Sequence, residues 1–359
     1  MTVAPDAAPG TVPGPARDKA PDHTPRMAKL SLAERLEPWM PLLLVPALIL
    51  AGYLAIASPT SWLTLTVSGL AMGMMIFVIA SGMTLVFGLM DVINFGHGAF
   101  VSFGAFVGVS VLLLLGHMTG APSLLLNLTA FMLAVLAAMA VTGAMGFAFE
   151  RVIVRPVYGS HLKQILVTMG GLIVAEQLIH VIWGGEEIFI GRPEMLKGSI
   201  EIFGATLERY RLVAVGIGFV LFLAMRAVLR GTKIGLIVRA GVENPEMVQA
   251  MGYHIRRVFV MVFVAGSALA GLGGVMWGLY QEMITAHMGM EIMILVFIVV
   301  IIGGLGSVEG CFIGALLVGL MQNYTAFLEP KLALISNIAL MVAILMWRPQ
   351  GMMPVIKAK

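Results

Sequence analysis

Few side chains in this sequence could do chemistry, and most of them interrupt long apolar runs. The segment Gly88-Leu89-Met90-Asp91-Val92-Ile93-Asn94-Phe95-Gly96-His97-Gly98 sets a carboxylate, an amide and an imidazole inside a run that is otherwise apolar from about residue 63 to 115. Its three glycines let the backbone break. Two readings stay open. Asp91, Asn94, Phe95 and His97 line or gate a path, since broken helices beside a binding path are a recurring transporter device. Or Asp91 and His97 are solvated in a plain turn. A metal role for His97 lacks the cysteine, histidine or carboxylate cluster at ligand spacing that it would need. Glu176 and His180 lie one helical turn apart in another apolar run. A carboxylate at mid-span is a functional candidate by default; the competing reading is an interhelical hydrogen bond with Glu176 protonated or paired. Gln322, Asn323 and Asn337 are further polar residues within apolar runs.

A second constellation is Arg239-Ala240-Gly241-Val242-Glu243-Asn244-Pro245-Glu246-Met247-Val248-Gln249-Ala250-Met251-Gly252. Asn244 suits an N-cap, Pro245 the first helical position and Gly252 the residue after the helix. Glu246 meets the positive end of the helix dipole. The spacing predicts a helix of about two turns, with Met247, Val248 and Met251 on an apolar face. So short a helix is marginal alone because nucleation is costly. It needs a partner surface, or it lies on lipid. A third constellation, Gly303-Gly304-Leu305-Gly306-Ser307-Val308-Glu309-Gly310, lacks the Gly-Lys-Ser/Thr ending of a phosphate loop. It reads as a tight glycine turn built on Gly303, Gly304, Gly306 and Ser307. No other stretch carries a nucleotide motif, and no clustered nucleophile, acid/base pair or metal set occurs. The chain is expected to be no enzyme, to bind no cofactor itself and to take its energy from elsewhere.

The elements that position these residues follow from composition. Of 359 residues, 59% are hydrophobic and only 11% charged, with mean hydropathy +0.98. Soluble domains carry about 25% charged residues, so lipid replaces water around most of this surface. Ten apolar runs stand out, at about 40–57, 63–89, 98–115, 123–149, 164–183, 211–229, 257–280, 290–303, 308–325 and 332–347. Backbone groups in lipid must bond within their own segment, which favours helices. The expected fold is all-α: a polytopic transmembrane helical bundle over 39–354. Residues 1–38 are rich in Pro and Ala with balanced charge and read as a disordered tail, with Met27 an alternative start. Residues 355–359 form a short second tail. The lone cysteine, Cys311, excludes an intrachain disulfide.

Basic residues report topology here rather than a nucleic-acid partner. The stretch 226–257 holds six Lys/Arg against Glu243 and Glu246, a net charge of +4. The stretch 150–163 holds Arg151, Arg155 and Lys163 against Glu150, and the C-terminus adds Arg348, Lys357 and Lys359. These are expected in the cytoplasm, including a coupling loop at about 230–256. The loop at about 184–210 and Glu282 with Glu291 are expected outside, in the periplasm. Both termini then fall in the cytoplasm.

The motifs taken together resemble the permeases of branched-chain amino acid ABC importers, a family with urea and amide relatives. Ser81-Gly82-Met83-Thr84-Leu85-Val86-Phe87-Gly88 leading to Asn94-Phe95-Gly96-His97-Gly98 is similar to that family's N-terminal signature, although the family more often has Ala at the position of Gly96. Arg239-Ala240, Glu246 through Gly252 and Ala268-Leu269-Ala270-Gly271-Leu272-Gly273-Gly274-Val275 resemble its coupling region. Gly303-Gly304-Leu305-Gly306-Ser307 and Arg348-Pro349-Gln350-Gly351 complete the likeness, which spans about residues 62–354. The resemblance implies a bacterial inner-membrane complex of two permeases, this one and a paralogue, with two ABC ATPase subunits and a periplasmic solute-binding protein. The helix after Asn244 would dock on the ATPase, which uses the ATP. The path would accept a zwitterion and hold it weakly. An ion-coupled secondary transporter is the rival, with Glu176 as its coupling site.

Overall fold

The structure, a computed structural model, describes residues 40–243 and 245–353. The tails at 1–38 and 355–359, the alternative start Met27 and the expected cap Asn244 lie outside the described residues, as do the side chains of Arg239, Glu243 and Pro245. Among the described residues are thirteen α-helices: α1 Met40–Ala55, α2 Pro59–Met90, α3 His97–Leu114, α4 Gly116–Thr119, α5 Leu124–Phe149, α6 His161–Trp183, α7 Arg209–Gly231, α8 Lys233–Glu243, α9 Pro245–Ala250, α10 Ile255–Gln281, α11 Met288–Gly303, α12 Val308–Leu328 and α13 Ala333–Trp347. Four short strands accompany them: β1 Ile188–Phe189, β2 Ser199–Ile202, β3 Ala205–Glu208 and β4 Met283–Ile284.

The all-α polytopic bundle read from the sequence is the fold observed, and each of the ten apolar runs is a helix. Eight helices are long and apolar enough to cross a membrane, α13 together with the 3-10 turn Pro330–Leu332 that leads into it. The other two, α1 and α11, have 16 residues each. At about 1.5 Å per residue that is about 24 Å, short of the ~30 Å hydrocarbon core. The stretch expected as a loop at 150–163 is largely helical: α5 runs on through a π-turn at Glu150–Val154 and a 3-10 turn at Arg155–Val157. The coupling stretch likewise holds α8 as well as the short helix foreseen.

Local chemistry starts and stops the long helices. Ser58 caps α2, its Oγ accepting from the Ser61 amide, with Pro59 at the first helical position. At the far end Asp91 turns left-handed (φ 50°) and its amide closes onto the Phe87 carbonyl. Ser307 caps α12 by accepting from the Gly310 amide at 3.0 Å. Between helices, small residues set the spacing, as expected where lipid removes the hydrophobic drive. A Cβ added at Gly73 would sit 2.6 Å from the Ala315 carbonyl of α12. One at Gly104 would overlap the Gly271 backbone of α10. The interior is largely aliphatic, with large aromatic and sulfur side chains such as Phe77, Phe100, Phe106, Phe263 and Met276 fully buried in it.

The bundle has two chemically distinct ends. One gathers the end of α2, the turns after α5, the α7–α8 region, the glycine turn and the last described residues. There Glu309 pairs with Arg226 at 3.4 Å and Arg230 at 2.5 Å, and the amides of Met352 and Met353 bond the Ile302 and Gly303 carbonyls. Tyr158 donates to Glu150 at 2.5 Å; burial, then this neighbouring carboxylate, push its phenol far above the usual range, so it stays a donor. Every stretch counted as basic in the sequence that falls within the described residues is at this end. The opposite end gathers β1 paired antiparallel with β4 and the β2–β3 hairpin. Asn127, part of a glycosylation sequon, is buried there, donating to the Met118, Ala121 and Ser123 carbonyls and accepting from the Met195 amide.

Arg192 staples that second end. Its guanidinium reaches Glu208 at 3.0 Å, Glu282 at 3.0 Å and the Leu279 and Tyr280 carbonyls, and lies over the Tyr210 ring. The side chain is 12% exposed, but its carboxylate partners are far more open, so solvent screens part of the attraction. Arg192→Ala is expected to cost about 2 kcal/mol, read as a lower melting midpoint in detergent. Arg192→Lys should recover only part, because lysine lacks the planar fork. An unchanged midpoint for Arg192→Ala would refute the stapling role.

Candidate functional site

The segment 91–96 does not stay at the surface. Asp91 is exposed at the end of α2, its carboxylate 3.5 Å from His161 Nε2. From there the chain climbs along α6: the Ile93 amide donates to Gln164 Oε1 and the Phe95 amide to Thr168 Oγ1. Alternate residues of an extended strand advance about 6.6 Å, close to one helical turn, so i and i+2 on the segment meet i and i+4 on α6. His97 then opens α3 inside the bundle. It is 1% exposed, and its Nε2 is 3.0 Å from the Ile79 carbonyl, well up α2. Asn94 is equally buried, and neither side-chain amide atom has a hydrogen-bond partner. The Phe95 ring packs against Phe297 of α11 with centroids 4.7 Å apart. The two sequence readings therefore divide: Asp91 is a solvated turn residue, whereas Asn94, Phe95 and His97 belong to the interior.

A second segment enters from the opposite end. After α10 the chain turns left-handed at Glu282 (φ 55°), pairs as β4, and descends to α11. Ser102, five residues into α3, donates to the Ala286 carbonyl at 2.9 Å and accepts the Gly289 amide at 3.0 Å. The first turns of α3 and α11 thus meet, with Gly98 and Gly289 in backbone contact. His287, at the cap of α11, puts Nδ1 3.3 Å from Glu176 Oε2, and its ring is 5.6 Å from that of His180. Glu176 is 6% exposed, and its Oε1 has no partner. Sequence reasoning found Glu176 and His180 but missed His287, whose only signal was an imidazole just ahead of an apolar run.

The coupling constellation divides differently. The helix foreseen after Asn244 is α9, of six residues. Gly252 follows it with φ 86°; its amide bonds the Gln249 carbonyl and the Tyr253 amide the Val248 carbonyl. That pair of bonds is the Schellman arrangement, and glycine fills the left-handed position it needs. The expected apolar face is corrected: Val248 is buried against the chain's own core, while Glu246, Met247, Ala250 and Met251 are exposed. Arg239 belongs to α8, which contacts α9. Beside α9 opens a cavity of about 860 Å³ lined by Arg151, Arg155, Gln249, His254, Arg256 and Arg257.

The glycine turn is as tight as its sequence suggests. Gly304 and Gly306 have φ 97° and 80°. Gly303 packs on Gly310, and Gly306 touches Gly88 at the end of α2.

A many-span helical bundle entered by two broken segments, with buried polar groups at their meeting point, is an architecture suited to a membrane transport permease. The family described as branched-chain amino acid transport system / permease component matches residues 65–345, and the chain belongs to it. Among its relatives, the high-affinity branched-chain amino acid transport system permease protein LivH of Salmonella typhimurium is 28% identical over 291 residues, covering 80% of this chain and 93% of that protein. LivH of Escherichia coli K12 is 27% identical, with the same coverage. BraD of Pseudomonas aeruginosa, named for the same transport system, is 26% identical and covers 80% and 94%. No solved structure gives a significant match.

Proposed function

We propose that this chain is the membrane-spanning permease of an ABC importer in a bacterial inner membrane. With a second, paralogous permease it forms the path for a branched-chain amino acid or a related small polar solute. Separate ATPase subunits bind and use ATP, a periplasmic binding protein delivers the solute, and this chain holds no cofactor. The observation that carries the reading is α9, a six-residue helix fixed by a Schellman cap and presented beside an open basic cavity. A helix that short is too costly to nucleate for its own sake, and its exposed Glu246 and Met251 suit a protein socket better than an acyl chain. Gathering of the basic stretches at the α9 end supports a cytoplasmic location for that end, and we assign both termini to the same side. Asn94, Phe95, His97 and Glu176 line or gate the path, with Asp91 at its cytoplasmic margin.

The test is the purified complex of both permeases, the ATPases and the binding protein. ATP hydrolysis should rise on adding a branched-chain amino acid, in a panel that includes urea and short amides. No stimulation by any member would remove the reading. The secondary-transporter alternative draws on the buried Glu176, and predicts uptake that persists without the ATPase subunits.

A further inference from the structure

We infer that Glu176, screened by His287, is the subsite that receives the ammonium group of a zwitterionic solute; this rests on the permease reading above. Glu176 stands on α6 seven residues before its end at Trp183, about 10 Å along the axis. Oε2 is engaged by His287 at 3.3 Å, while Oε1 is buried without a donor. A carboxylate in an apolar setting with half of its accepting capacity unused is costly. A purely structural clip between α6 and the α11 cap would be complete with a neutral glutamine. The idle oxygen points to a donor that is absent here.

The surroundings say which kind. Glu291 lies one turn beyond His287 on α11 and is exposed. The unpartnered carboxylate oxygen of Glu176, with Glu291 on the neighbouring turn, favours a cationic donor. A primary ammonium supplies three N–H donors and the charge. An amide or urea supplies N–H groups without the charge and gains less from the buried carboxylate.

The cluster is also reachable. The His287 side chain is 59% exposed. It heads a stripe on α11, with Met290, Glu291 and Ile294, that is turned away from the chain's own core. Ionisable groups facing acyl chains are expensive and usually meet a wet cavity or other protein. This stripe therefore faces the path shared with the second permease, and rotation of the His287 ring uncovers Glu176.

The experiment is ATP-dependent leucine uptake by the whole transporter in proteoliposomes. Glu176→Gln should lower uptake about tenfold or more, with the complex assembling at wild-type yield. Glu176→Asp, which keeps the charge, should retain much of the activity. Uptake by Glu176→Gln within about twofold of wild type would overturn the subsite and leave the importer standing. Equal losses in both variants with reduced assembly would reassign Glu176 to a structural clip. Wild-type uptake that needs no ATPase, or none at all, would instead bring down the importer reading and this subsite with it.

Discussion

Gly289→Val is expected to leave little folded protein in the membrane. A Cβ at Gly289 would overlap the Gly98 carbonyl oxygen and lie 2.6 Å from Ser102 Oγ. Gly98 is backbone at the first turn of α3, so it cannot swing aside as a side chain would. Relief requires α3 and α11 to separate, which breaks the Ser102 bonds to Ala286 and Gly289 and opens the packing around Phe95 and Phe297. Overpacking a well-filled interior costs about 3 kcal/mol in bad cases, and the lost buried hydrogen bonds add to that. Gly216→Val is the control, since nothing lies within 4 Å of a Cβ built there. Detergent-extracted yield and melting midpoint should fall sharply for the first variant and little for the second. Similar behaviour of the two would show that the α3–α11 contact is not what holds the bundle shut.

Gly252→Val should separate coupling from folding. The added Cβ meets nothing within 4 Å, so the bundle has no steric reason to weaken. The backbone, however, sits at φ 86°, where a β-branched residue pays the left-handed penalty of about 1–2 kcal/mol. For a six-residue helix whose stop signal is that glycine, the penalty rivals the stability of the helix itself. The expected result is a wild-type melting midpoint with ATPase co-purification reduced about tenfold. Gly252→Asn, which tolerates the left-handed region better, should fall between. Full co-purification with Gly252→Val would mean that α9 is not the docking element.

The sequence made the local features legible. Apolar runs announce helices in lipid because the backbone has no other partner. Asn-Pro-Glu followed by Gly252 announces a start and a stop. The described parts of the stretches that the charge census grouped lie at one end of the bundle. Long-range pairings were hidden for a physical reason: periodicity records which face a residue takes, not what meets it. Nothing local joins Glu176 to His287. Gln164 and Thr168, one turn apart near the start of an apolar helix, were the available hint that a strand lies alongside α6. Helix α8 was missed because it lies inside a stretch read as a basic loop. Among its described side chains the buried positions are Gly235, Val238 and Gly241, and two of these three are glycines, which argue for a loop when read locally. The interior position of Asn94 was one of two readings that composition alone could not separate.

The β1–β4 pairing has a mechanical consequence. Ile188 and Phe189 hold Ile284 and Met283, and the Ile190 amide holds the Glu282 carbonyl. A few residues further on come His287 and the first turn of α11. Anything that pulls on this loop therefore tugs the histidine beside Glu176 through a hydrogen-bonded lever, without itself entering the membrane. On the subsite proposed for Glu176, a delivering protein that landed on this rim would loosen the solute's seat as it released the solute.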